Sequence, residues 1–119
     1  MSKINPDVKA MWVPALRSDK YKQTRGALRN SEGYCCLGVL CDLKDSSGWE
    51  QRGPREAHRG DMHEGSCGIP SESVRAWAGF PRGELPPRVV IDGISERLDT
   101  HNDRGRTFAQ IADAIEAQL

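Results

Sequence analysis

The run Tyr34-Cys35-Cys36-Leu37-Gly38-Val39-Leu40-Cys41-Asp42-Leu43 decides the fold of this chain. It is the one nearly unbroken apolar run in an otherwise polar sequence, and it holds three of the four cysteines. Periodicity alone does not assign so short a run. Cys36, Leu37, Leu40, Cys41 and Leu43 fit one face of a helix, Asp42 falls on the other side, and Val39 is the only β-branched residue. The run therefore reads as a strand end at Tyr34-Cys35 followed by a buried helix from Leu37 to Leu43. Gly38 then allows another element to pack close, despite a helix cost of ~1 kcal/mol.

Upstream, Asn5 or Asp7 can cap a first helix with Pro6 in its opening turn. Val8, Met11, Trp12, Ala15 and Leu16 form one apolar face. Pro14 is expected to kink that helix or to end it before Arg17. Lys20 to Arg29 has no clean alternation and reads at best as a short, half-exposed strand. Asn30-Ser31-Glu32-Gly33 is a turn by composition, so a hairpin into Tyr34-Cys35-Cys36 is expected.

Downstream, Lys44 to Ile69 is a long polar loop with five glycines, two of the three histidines (His58 and His63) and Cys67. Structureless loops of that length are uncommon in compact domains. Ser71 or Ser73 caps a short helix with Val74, Trp77 and Ala78 inside, and Gly79 stops it. Val89 to Leu98 reads as a hairpin around Asp92-Gly93, and Asp99 to Arg106 as a polar turn. Thr107 and Gln110 make a capping box for a last helix with Phe108, Ile111, Ala112, Ile115 and Leu119 on one face. The expected fold is α+β: a small sheet or hairpins packed by three to four helices, in one domain of 119 residues.

Lys and Arg balance Asp and Glu at 17 each, for zero net charge. That balance argues against a general nucleic-acid binder. No segment approaches the ~20 apolar residues of a membrane span, and Met1 to Pro6 has no apolar signal core. A cytosolic setting with reduced cysteines is expected.

Several stretches carry a resemblance. They are Trp12-x-x-x-Leu16-Arg17-Ser18 with Tyr21-x-Gln23, Gly26-x-Leu28, and Tyr34-Cys35-Cys36-Leu37-Gly38-Val39-Leu40-Cys41. Pro70-x-x-x-Val74-x-x-Trp77-Ala78-Gly79 and Asn102-Asp103-x-Gly105-x-x-Phe108-x-x-Ile111-Ala112-x-x-Ile115-Glu116 continue it. The pattern resembles a family of small bacteriophage and prophage proteins. Lys44 to Gly68 lies outside the resemblance, and Pro14 departs from it. The family has no established activity, so the resemblance implies a phage origin, and with it the host cytoplasm, together with a fold.

Three constellations are candidates for function. The cysteine spacing does not match paired zinc ligands, and buried thiols behave as small apolar groups. A composite site of Cys67 and His63 would be the metal alternative. Cys35 stands where a helix N-terminus lowers a thiol pKa, which makes it the one candidate nucleophile. The second constellation is Trp12, Arg17, Tyr21, Gln23, Arg25 and Arg29, a mixture suited to a planar anionic ligand: rings stack, Arg pairs with phosphate, Gln reads polar edges. The competing account puts Trp12 in the core and the arginines in solvent. The third is Thr100 to Gly105, where Asn102 and Asp103 either form a turn or help place a phosphate at the helix beginning near Thr107.

No nucleotide-loop or metalloprotease motif is present, and no cofactor is implied. The leading expectation is a phage protein that binds a small nucleotide-like ligand through Trp12, Arg17, Tyr21, Gln23, Arg25, Asn102 and Asp103 without turning it over. Such a protein would sequester a host immune signal, and a homo-oligomer would complete its pocket. The alternative is an inhibitor of a host or defence protein that makes contact through the polar loop, with Trp49 and Met62. A cysteine-dependent enzyme ranks third. Arg59-Gly60-Asp61 is a chance match to an adhesion motif.

Overall fold

The computed structural model describes residues 4–51, 60–81 and 86–119. Their elements, in chain order, begin with α1 (Pro6–Arg17), β1 (Arg29–Asn30), β2 (Gly33–Tyr34), α2 (Cys36–Lys44), β3 (Trp49–Glu50) and β4 (Met62–His63). They continue with α3 (Glu72–Ala78), β5 (Arg88–Ile91), β6 (Ile94–Arg97), α4 (Leu98–Asp103) and α5 (Phe108–Gln118). The fold is α+β, with five helices and three separate two-stranded antiparallel ladders among the described residues.

Helix α2 is the centre, and Cys36 through Cys41 are all buried. The run is therefore inside on every side rather than along one face. Helix α1 packs against α2 and α5, while α4 and the β5–β6 hairpin close the side beside α5. Gly38 has the role its sequence position implied. A Cβ built there would lie 1.8 Å from the Leu28 carbonyl oxygen. That oxygen accepts a hydrogen bond from the Cys35 N–H at 3.0 Å, so the Leu28 backbone, just before β1, lies tight over the first turn of α2.

Helix α1 runs through Pro14 to Arg17, capped by the Asn5 side chain on the Asp7 N–H. Thr107 and Gln110 close the expected capping box on α5, worth about 1 kcal/mol. The hairpin turns at Asp92 and Gly93, both with positive φ (53° and 78°), as a type I′ turn requires.

Two stretches differ from expectation. Residues 98–103, read as strand end and turn, form the helix α4, which raises the helix count to five. Its polar Thr100, Asn102 and Asp103 hide a short helix that buries Leu98, His101 and Asn102. The loop after Lys44 is not structureless: Trp49 pairs with His63 and Glu50 with Met62. His58 and Arg59 lie outside the described residues.

Candidate recognition face

The structure distributes the residues singled out from the sequence. Trp12 is fully buried, and its Nε1 donates to the Cys36 carbonyl at 2.9 Å, which puts it in the core. Gln23 donates through Nε2 to Asn102 Oδ1 (2.9 Å) and to the Arg106 carbonyl (2.7 Å). Asn102, fully buried, also accepts from the Cys36 N–H and donates to the Thr24 carbonyl at 2.8 Å. Gln23 and Asn102 thus tie the segment after α1, the start of α2 and α4 into one knot. Asp103 accepts from the Gly26 N–H at 2.9 Å, and Arg25 is exposed, its guanidinium close over Gly105. Arg17 lies on the outer surface between α1 and α5, paired with Asp113 at 2.7 Å and with Glu116, and these bonds raise its pKa. The seven do not converge on one cavity. Arg17 lines a groove with Pro14 and Glu116, whereas Asp103 lines another with Cys35 and Asp99.

The three thiols of the central run, Cys35, Cys36 and Cys41, are all buried. Cys35 stands at the junction before α2 that the sequence pointed to and there caps the helix, its Sγ accepting from the Gly38 N–H at 3.3 Å. It is nevertheless buried, and burial pushes its pKa up to about 12 against the main-chain bonds of Gly38 and Leu37. Burial likewise raises Cys36 and Cys41. The helix N-terminus does not overcome desolvation here. Among the described residues, no group of His, Cys, Asp and Glu is placed to hold a metal ion.

A different set of side chains does converge. Tyr21, Tyr34 and Trp49 meet edge to face in series, with ring centroids 4.9 Å and 5.9 Å apart. The arrangement follows from the backbone. Tyr34 is held in β2 between Arg29 on one side and residues 22–24 on the other, through the Thr24 N–H and the Lys22 carbonyl. Asp42, the one carboxylate in the central apolar run, faces the same way. Its Oδ2 accepts from the Tyr21 hydroxyl at 2.7 Å and its Oδ1 from Trp49 Nε1 at 3.0 Å. Burial and this bond push the Tyr21 pKa well up, so the hydroxyl stays a donor.

Arg29 completes the face. Its guanidinium sits 4.4 Å from the Trp49 ring centre, and its Nε pairs with Asp61 at 2.6 Å. A cation over indole contributes roughly 1 kcal/mol. His63 supports Trp49 from beneath, ring to ring at 4.8 Å, and is fully buried. Its Nε2 lies 2.8 Å from the Asp45 carbonyl. A carbonyl only accepts, so Nε2 carries the proton in the neutral ring.

Tyr21, Arg29, Tyr34, Asp42, Trp49 and Asp61 are all partly exposed. Tyr21, Arg29 and Trp49 were within the stretches singled out from the sequence. Tyr34 and Asp42 lay in the central run and His63 in the metal alternative, but neither these nor Asp61 was read as part of such a face; Asp42, a lone charge in an apolar helix, left the clearest signal.

Fold and face together define a small α+β domain with an aromatic and arginine surface between α2 and the β3–β4 ladder. The chain belongs to DUF8296, a domain of unknown function, whose family model matches residues 4–119. No curated protein and no solved structure matches it. No helix among the described residues is long and apolar enough to cross a membrane.

Proposed function

We propose that this chain is a binding domain that takes a partner protein on the Tyr21–Tyr34–Trp49 face and performs no chemistry on it. The observation that carries this reading is the face itself. Three rings and one guanidinium come from separate segments, and the polar atoms of Tyr21, Trp49 and Arg29 are already held by Asp42 and Asp61. Tyr, Trp and Arg are the residues that dominate protein interfaces. Side chains fixed before binding lose little entropy on association.

A nucleotide-like anion is supported less well. Of the arginines near the expected site, Arg17 is engaged with Asp113 and Glu116, Arg29 with Asp61 and Arg106 with Asp92, while Arg25 stands exposed beside Gly105. The cavity beside Asp103 is about 260 Å³ and carries Asp103 and an Asp99 carboxylate already paired with Arg97, which leaves a net negative lining that disfavours phosphate. The raised thiols support a reading without turnover. In the phage setting implied by the sequence resemblance, the partner would be a host or defence protein.

The test uses the full chain as bait in host extract, beside Trp49→Ala and Arg29→Gln. A partner held by the wild type is expected to lose about thirtyfold in affinity with Trp49→Ala. Arg29→Gln should weaken it while changing stability by less than about 1 kcal/mol, as for a partly exposed ion pair. Equal capture by all three proteins, or a melting rise with cyclic nucleotides that Trp49→Ala leaves intact, would overturn the proposal.

A further inference from the structure

Strand β5 has one edge in its ladder with β6 and another that faces α5. Ile91 pairs with Ile94 across the two-residue turn, so Val89 and Ile91 exchange ladder bonds with β6. The Leu98 N–H to the Pro87 carbonyl, 3.1 Å, continues that phase. Val90 therefore turns its own N–H and C=O outward. One side chain takes both: Gln118 Oε1 accepts from the Val90 N–H, and Gln118 Nε2 donates to the Val90 carbonyl, each at 2.7 Å. These are the two bonds a residue of an added antiparallel strand would make. Gln118 is exposed on the last turn of α5, and Val90 is 46 % exposed.

Between this edge and α5 lies an open groove of about 300 Å³. Ala114 and Ala117 on its helix side leave room for a branched side chain. Its lining carries two carboxylates, Asp92 and Asp113, and no cation. Their arginine partners, Arg106 and Arg17, stand outside that lining.

We infer that this groove receives an extended, basic peptide segment of another protein, which displaces the Gln118 carboxamide and adds to β5 as a strand. Main-chain bonds to Val90 supply the docking. Alternate side chains set the preference, small or branched towards Ala114 and Ala117, basic towards Asp92 and Asp113. The site shares no residue with the aromatic face, so either can fail without the other.

The experiment titrates the ¹⁵N-labelled full chain with acetyl-Val-Lys-Val-Lys-Val-amide. The Val90 amide and the Gln118 side-chain amide are expected to shift together. Gln118→Ala removes the internal competitor and should tighten binding about fivefold. Asp113→Asn should weaken it about threefold. The same peptide with glutamate for lysine should bind about tenfold more weakly. Val90→Pro removes the edge donor without touching the β6 ladder and should abolish the shifts; if it does not fold, Gln118→Ala and Asp113→Asn decide. A Val90 amide unmoved at millimolar peptide in both wild type and Gln118→Ala overturns the inference. So does equal binding of the acidic peptide, or a Val90 shift with protein concentration alone, which would assign the edge to a second copy.

Discussion

Around Asn102, polar side chains are turned on the main chain, whereas around Asp42 they are turned on one another and on aromatic rings. The first network satisfies the Cys36 N–H and the Thr24 and Arg106 carbonyls, and its hub is fully buried. The second holds Tyr21 and Trp49 in place and leaves both partly open to solvent. A side chain that bonds only to backbone inside the core has been used up by folding. One that fixes the pose of an exposed ring still has something to offer a partner. The motif residues that look most functional, Trp12, Gln23 and Asn102, belong to the first kind.

The sharpest way to break this contrast is at the clamp on the folding side. Gly38→Ala forces a methyl onto the Leu28 carbonyl, a backbone atom that must shift to admit it. We expect a loss of about 4 kcal/mol or outright failure to fold, read by chemical denaturation. A Gly38→Ala protein within about 1 kcal/mol of wild type would mean that the Leu28 backbone is not held there. Asn102→Ala should cost about 3 kcal/mol, because it strands a buried N–H, a buried carbonyl and the Gln23 amide. It should leave partner binding per folded molecule unchanged. If Asn102→Ala instead kept its stability and lost binding, the roles of the two networks would be reversed.

The smallest effect is expected at the foot of the aromatic face. The hydrogen bond from Lys44, with a further one from Ser71, holds the Glu64 carboxyl below its usual range against opposing burial. A depressed carboxylate stabilises the fold above its unfolded pKa of ~4.3 and loses that contribution as pH falls through the lower folded value. Glu64→Gln should therefore flatten the acid limb of the melting temperature measured against pH. An unchanged slope below pH ~4 would show that the Lys44–Glu64 pair is not formed in solution.

Much of the fold was legible because its signals are local. A capping box at Thr107, an Asp-Gly turn at 92–93 and an apolar run at 36–41 each declare an element by themselves. Helix α4 was not legible, because its buried face holds His101 and Asn102, polar residues that bond to distant backbone through His101 Nε2 and the Asn102 amide. The β3–β4 ladder was equally hidden. Two residue pairs separated by a dozen positions leave no alternation to read. The aromatic face fails to show in the sequence for the same reason: Tyr21, Tyr34 and Trp49 become neighbours only through strand pairing and the Asp42 carboxylate. Arg17 and Tyr21, four positions apart, end on different surfaces with different acidic partners.

The β3–β4 ladder also bears on how such a protein could diversify. Glu50 and Met62 are joined across the ladder, so the chain between them leaves and returns at two fixed posts. Doubling the length of a closed loop costs only about 0.6 kcal/mol more in chain entropy. A change in the length of the chain between those posts therefore costs the fold little.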